Sequence, residues 1–386
     1  MFYYLAQQIL EASAHTAWAK PLSALRLFRY ITFRTAGAAV TALVLSWWLA
    51  PKVIHWLRQL RFGQEYVDIA AASGGMTERG AKKKGTPTMG GILIVLALNL
   101  TTLLWARFDP PGGPLVLLAL FSVVVLCGLG FYDDYAKIIQ QSGGGTTSGV
   151  KLWIQFALAL FIALYLWLQP ATTRLISDIM VPFYKRPVAT GASLGGLLLT
   201  LLAIVGSSNA VNLTDGLDGL AIGCTLIVSF VFVVLTYLAG NIKVASYLDI
   251  PYVPGAGELT VFCAAMIGAG LGFLWYNCHP AQVFMGDTGS LALGGALGVI
   301  AVLIHQPFLL VIAGGVFVME ALSVILQTGW FRFTRMRYGT GRRLFLMAPI
   351  HHHFEKKGWT ESQVVMRFYI LGVLCAVVAL SSLKIR

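Results

Sequence analysis

Long apolar runs separated by short polar connections occupy the chain from residue 24 to residue 384. A bilayer core of roughly 30 Å takes about 20 apolar residues in helical form, and the runs divide into about ten pieces of that length. They fall at 24–50, 88–106, 115–132, 152–169, 190–211, 219–239, 259–277, 289–305, 308–328 and 365–384. Strands of a membrane barrel would alternate apolar and polar residues, and these runs are continuous instead. The pattern predicts an all-α, polytopic integral membrane protein with about ten transmembrane helices. No internal repeat stands out, and a single membrane-embedded domain over 1–386 is expected.

Composition sharpens the exclusion. Of 386 residues, 57% are hydrophobic and 11% charged, against about 25% charged in an ordinary soluble domain, and the mean hydropathy is +0.76. Neither a soluble domain nor a disordered chain has this balance. Five cysteines, odd in number and without a C-x-x-C pair, argue against a disulfide framework or a zinc ribbon. They are expected to be small buried hydrophobes.

The formal charge is +12. On a membrane protein such an excess marks cytoplasmic connections and anionic partners rather than nucleic acid. The odd-numbered connections carry Lys52, Arg58, Arg61, Arg79, Lys82, Lys83, Lys84, Lys137, Arg332, Arg335, Arg337, Arg342, Arg343, Lys356 and Lys357; the even-numbered ones carry Arg107, Arg174, Lys185, Arg186 and Lys243. Both termini are therefore expected on the periplasmic side, with connections near 51–87, 133–151, 212–218, 278–288 and 329–364 facing the cytoplasm. Arg26, Arg29 and Arg34 near the first run count against this assignment.

Three acidic clusters fall in the odd-numbered connections: Asp133 with Asp134, Asp215 with Asp218, and Asp287. Lys137 lies one helical turn from Asp133 if the helix continues. Asp215 and Asp218, spaced i,i+3 in Asn212-Leu213-Thr214-Asp215-Gly216-Leu217-Asp218-Gly219, point to one side of a turn. Acids at helix ends are often only solvated boundary residues, but three clusters on one side suit a hard cation. Mg²⁺ takes carboxylate oxygens and shares its shell with substrate phosphates, whereas zinc prefers His and Cys.

The same side carries Lys82, Lys83 and Lys84 ahead of Gly85-Thr86-Pro87-Thr88-Met89-Gly90-Gly91. Backbone amides of a Gly-rich turn can cradle an anion and lysines neutralise it, although a basic run by itself also serves as a headgroup contact. In Ala348-Pro349-Ile350-His351-His352-His353-Phe354-Glu355, three consecutive imidazoles do not fit one tetrahedral ion, and a diphosphate-binding or proton-transfer role is expected over a metal site. Glu320, an acid inside a span, is either functional or a buried link between helices. Asn209, Asn212 and Asn277 near helix ends either read a base or sugar or cap the helices.

These residues resemble, from about Lys82 to the C-terminus, the polyprenyl-phosphate N-acetylhexosamine-1-phosphate transferase superfamily, and within it the phospho-N-acetylmuramoyl-pentapeptide transferase family. The likeness is carried by Asp133-Asp134-x-x-Lys137, Asn212-x-x-Asp215-Gly-x-Asp218-Gly, Phe284-Met285-Gly286-Asp287 and Pro349-Ile350-His351-His352-His353-Phe354-Glu355. The histidine run matches the muramoyl branch rather than the UDP-N-acetylglucosamine branch.

The resemblance implies a ten-helix enzyme of the bacterial inner membrane, a homodimer, with Mg²⁺ as cofactor. It would move phospho-N-acetylmuramoyl-pentapeptide from UDP-N-acetylmuramoyl-pentapeptide to undecaprenyl phosphate, giving lipid I and UMP. It also implies roles. Asp287 would take Mg²⁺; Asp133 would hold the lipid phosphate or accept its proton, supported by Asp134. Lys83, Asn277, Phe284, Asp215 and Asp218 would line the nucleotide pocket, Phe284 stacking on uracil. His351 and His352 would hold the diphosphate or the sugar-peptide part, and Thr88, Lys137, Asn212 and His353 would join the substrate-binding set. The rivals are a sibling transferase using UDP-N-acetylglucosamine and a cation-coupled transporter or flippase, whose sites lie near the bilayer midplane rather than at one edge.

Overall fold

The computed structural model describes residues 1–59, 85–140, 145–184 and 186–383. Lys83, with Arg61, Arg79, Lys82, Lys84 and Lys185, lies outside the described residues. Ten principal helices follow in chain order: α1 Ile31–Gln59, α2 Gly91–Trp105, α3 Gly112–Gln140, α4 Ser148–Leu168, α5 Ser193–Thr214, α6 Leu220–Ala239, α7 Gly257–Asn277, α8 Gly286–Leu303, α9 Gly315–Tyr338 and α10 Glu361–Ser381. Nine of them are long and apolar enough to cross a membrane. Among the described residues there is no strand, only an isolated antiparallel bridge between Ile179 and Ala189.

The exception is α2, with 15 residues. At 1.5 Å per residue it covers roughly 22 Å, short of the hydrocarbon thickness. Its predicted start at residue 88 is wrong for a backbone reason. Gly90 and Gly91 donate their N–H groups to the carbonyls of Phe284 and Met285, and Phe284 N–H donates to Pro87. The chain before Gly91 is thus tied to the loop before α8 and does not wind.

Other boundaries move because hydropathy reports the hydrocarbon-facing part of a helix, while backbone bonding continues into polar turns. The first apolar run starts seven residues late, behind a 3₁₀ segment at Pro21–Arg29, and then continues through Pro51 to Gln59. α3 runs past residue 132 and so carries Asp133, Asp134 and Lys137 on its last turns. The run at 308–328 splits into a short helix, Pro307–Ala313, and α9. α10 opens earlier than predicted, at a capping box between Thr360 and Gln363.

α7 and α8 are the inner helices: α7 packs on α1, α6 and α2, while α8 packs on α3 and α5. Glycine at Gly268, Gly272 and Gly294 lets backbones approach closely where lipid supplies no hydrophobic drive between helices, while Gly270 and Gly295 make room for the Leu226 and Leu126 side chains. Arg34 is a buried bolt rather than a loop charge, its guanidinium donating at 2.6 Å to each Glu258 oxygen. That removes one of the three arginines counted against the orientation. All five cysteines are free thiols; Cys224 and Cys263 are buried as expected, whereas Cys127 and Cys375 are half-buried and Cys278 is exposed.

Candidate active site

The described parts of the odd-numbered connections meet at one end of the bundle. The C-terminal turns of α3 and α5, the first turn of α8, the end of α7 and the 215–219 turn converge there on a polar cavity of about 150 Å³, and the first turn of α4 brings Lys151 against Asp133 and Asp287. Its lining includes Thr88, Asp134, Lys137, Asn212, Asp215, Asp218, Asn277, Phe284 and Asp287, nine residues that the sequence singled out. A larger cavity, about 750 Å³, lies among residues 170–187 and 245–254 and contains none of them. The N-terminal amine, bonded to the carbonyls of Leu103 and Leu104 at the far end of α2, and the tail of α10 both lie away from the acidic end.

Two lysines and two aspartates alternate in a square of which Lys137 and Asp287 line the cavity. Asp133 Oδ2 lies 2.7 Å from both Lys137 Nζ and Lys151 Nζ. Asp287 Oδ2 lies 3.0 Å from Lys137 Nζ and 2.8 Å from Lys151 Nζ. Asp133 is fully buried, its other oxygen accepting from the Thr146 N–H at 2.8 Å. Asn212 fixes the remaining Asp287 oxygen, donating at 2.8 Å from an amide that also reaches Ser290 Oγ.

Asp134 is used differently. Its carboxylate accepts from the N–H of Asp287 and of Thr288 and from the Thr288 hydroxyl, at 3.2, 3.0 and 2.8 Å. It therefore caps α8, answering unsatisfied amides and the positive end of the helix dipole. Gly286 makes this possible: its φ is +70°, and a Cβ there would press on Asp134 Oδ2 and Thr88 Oγ1.

Asp215, just past the end of α5, has its carboxyl pushed up to about 8, first by burial and then by the charges of Asp287, Asp134 and Asp218. Asp133, Asp134 and Asp287 each offer an oxygen within 4.8 Å of the others, so the buried cluster can hold a metal ion. The donor chemistry fits: every ligand atom is a hard oxygen. So does the charge, since Asp133, Asp134 and Asp287 are met by two lysines, Lys137 and Lys151, among the described residues.

A second group lies beside the cavity. His279 Nδ1 is 3.1 Å from Asp218 Oδ2 and 3.6 Å from Glu361 Oε2, while Glu361 accepts the Asp218 N–H at 2.9 Å. The first residue of α10 thereby pins the 215–219 turn. Asn277 does the same from α7, accepting from the Gly219 N–H and donating to the Val283 carbonyl at 3.1 and 2.9 Å.

The three histidines do not act as a unit. His351 is shut off from solvent, with Nδ1 3.1 Å from Glu320 Oε1. Its other edge lies against Gly216, where any side chain would collide with the ring. His352 meets Glu355 at 2.8 Å, and burial holds its pKa below the ordinary value. His353 turns back to accept the Leu346 N–H at 3.1 Å and, like His351 and His352, is not among the residues lining the cavity. The reason is helical: consecutive residues on Ile350–Lys356 point about 100° apart.

Sequence reasoning missed Lys151, Thr146, Thr288, Ser290, His279 and Glu361. Lys151 alone carried a signal, as a single cation in the first turn of an otherwise apolar helix. Glu320, left open between two readings, is the partner of His351.

Residues 116–305 match the family model described as glycosyl transferase family 4. With the bundle and its acidic end, that match defines a polytopic membrane transferase. Residues 83–95 match signature 1 of the phospho-N-acetylmuramoyl-pentapeptide-transferases. A protein of that name from Methylacidiphilum infernorum is 50% identical over 95% of this chain and 97% of its own. One from Desulfotalea psychrophila is 48% identical over the full length of both. The chain belongs to the phospho-N-acetylmuramoyl-pentapeptide-transferase family.

Proposed function

We propose that the chain, acting as one membrane-embedded domain, transfers phospho-N-acetylmuramoyl-pentapeptide from UDP-N-acetylmuramoyl-pentapeptide to undecaprenyl phosphate, forming lipid I and releasing UMP. The acidic end faces the cytoplasm of a bacterial inner membrane, both termini face the periplasm, and the working form is a homodimer. The observation that carries the reading is the square of Asp133, Lys137, Asp287 and Lys151, of which Lys137 and Asp287 line a polar cavity at one end of the bundle. Two polyanions, one soluble and one lipid-borne, can meet only at such an edge.

Asp287, with Asp133 and Asp134 beside it, would hold Mg²⁺, which when bound supplies positive charge for diphosphate oxygens. In the reaction an oxygen of the lipid phosphate attacks the sugar-linked phosphorus of the donor. The bond from that phosphorus to the bridging oxygen breaks, and UMP leaves with the electron pair. Lys137 and Lys151 exchange carboxylate for phosphate oxygens and neutralise charge that grows in the transition state. Asp133 accepts the proton that a phosphate monoester still partly carries near neutral pH. Phe284, half-buried on the cavity wall, stacks on the uracil, with Asp215, Asp218 and Asn277 around it and Lys83 joining from the preceding connection. His352 lies beside Gly216 at the rim and meets the diphosphate or sugar, and His351 holds that rim in place.

The test is UMP release by purified protein with undecaprenyl phosphate, Mg²⁺ and either UDP-N-acetylmuramoyl-pentapeptide or UDP-N-acetylglucosamine, beside Asp287→Asn. Release with the muramoyl donor only, lost without metal and in the variant, is expected. Release with the other donor only would move the chain to the sibling reaction, and no release from folded protein would overturn the transferase reading.

A further inference from the structure

α4 brings Lys151 to Asp133 and Asp287, yet α4 packs chiefly on α5 rather than on α8, which carries Asp287. The register of α4 against α5 therefore sets where the Lys151 ammonium sits. Apart from Gln155, the residues that α4 buries are apolar: Leu158, Ala159, Ile162, Ala163 and Leu166. Lipid tails are as apolar as leucine, so such a seam resists sliding weakly.

Gln155 is the polar exception, fully buried and one turn beyond Lys151 on the same face of α4. Its amide nitrogen donates to Ser208 Oγ at 3.1 Å, and its amide oxygen accepts from Asn209 Nδ2 at 2.7 Å. Ser208 Oγ donates in turn to the Leu291 carbonyl of α8 at 3.0 Å. Three residues after Asn209, Asn212 holds Asp287 Oδ1. A ladder of hydrogen bonds thus runs from α4 through α5 to α8 beneath the acidic cluster. Both of its upper ends, Lys151 and Asn212, close on Asp287.

We propose that Gln155, seated on Ser208 and Asn209, is a positioning residue that sets the register of α4 and so holds Lys151 on Asp133 and Asp287. The inference rests on the transferase reading above. A slip that unseats the amide leaves polar groups unpaired in hydrocarbon, which costs several kcal/mol, whereas a slip of the apolar positions alone costs little. Buried amides specify register in helical assemblies in this way.

The experiment measures kcat and KM for UMP release, with melting temperatures, for the full chain in detergent. Gln155→Leu is expected to fold and to lose roughly 10- to 100-fold in kcat, the scale of a displacement near 1 Å, with KM for the nucleotide donor little changed. The swap Gln155→Asn with Asn209→Gln, which rebuilds the amide pair from the opposite helix, should recover most of the loss. In a Lys151→Ala background, Gln155→Leu should cost nothing further, because the group it positions is gone. Undiminished kcat in Gln155→Leu, or an equal loss in both backgrounds, overturns the inference. Should Gln155→Leu not fold, Ser208→Ala cuts the same ladder with a smaller change in volume and is read by the same criteria. A parent chain that releases no UMP defeats the transferase reading itself; a parent that turns over beside an equally active Gln155→Leu defeats this inference alone.

Discussion

The Asp134 carboxylate accepts the backbone N–H of Asp287 at 3.2 Å, so one acid of the cluster holds the helix that presents another. Asp134 is thus spent on capping, with two further bonds from Thr288. Asp134→Asn keeps an acceptor and should fold with reduced turnover. Asp134→Ala should lose roughly 1 to 2 kcal/mol of stability, the range of a lost cap, and more of the activity. Melting curves and UMP release for the pair decide this. Equal inactivation with unchanged melting in both would mean that Asp134 acts chemically.

Lys151 bridges the Asp133 and Asp287 carboxylates, so its loss should be felt in the transition state. Lys151→Met is expected to lose about 10²-fold in kcat, as when one electrostatic group is removed from a preorganised site, with UMP affinity little changed. Lys151→Arg should retain part of the rate. Unaltered kcat would leave charge neutralisation to Lys137 alone.

Glu320 and His351 form a pair fully buried between α9 and the histidine helix. Removing one partner leaves the other polar group buried without its contact, so Glu320→Ala should destabilise the protein by about 1 to 3 kcal/mol. The double variant Glu320→Leu, His351→Leu should recover much of the melting temperature and little of the turnover. Melting temperatures that fall additively would show that the two residues act apart.

Asp215 sets a pH dependence with a definite sign. Its folded-state carboxyl titrates near 8, against about 4 in an unfolded chain. The folded state keeps a proton that the unfolded chain releases, so this stabilisation is complete below pH ~4 and fades as pH rises towards ~8. Metal-free protein should melt lower at pH 8.5 than at pH 6, and Asp215→Asn should flatten that slope and melt above the parent at the alkaline end. Melting curves in chelator from pH 5 to 9 test it; parallel slopes would refute the assignment.

Phe284 stands on the cavity wall, held by backbone bonds to Pro87 and Gly90. Phe284→Ala should weaken UMP binding about tenfold, the worth of one aromatic stack, with metal affinity kept. Unchanged UMP affinity by calorimetry would remove the stacking role.

Hydropathy alone determined the class of fold, because a chain crossing lipid must satisfy its backbone within each segment and therefore writes its helices as long apolar runs. Residue type determined most of the chemistry as well: eight of the polar positions singled out in the sequence, with Phe284, line one cavity. Only the tertiary structure decided how those residues divide the work. Asp133 and Asp134 are neighbours on one helix, yet the first faces Lys137 and Lys151 while the second turns to α8. Three adjacent histidines reach Glu320, Glu355 and the Leu346 amide. Lys151 entered the site from the first turn of a largely apolar helix. Pairing between distant helices is set by packing, bond geometry and register, and a run of letters along one helix does not carry them.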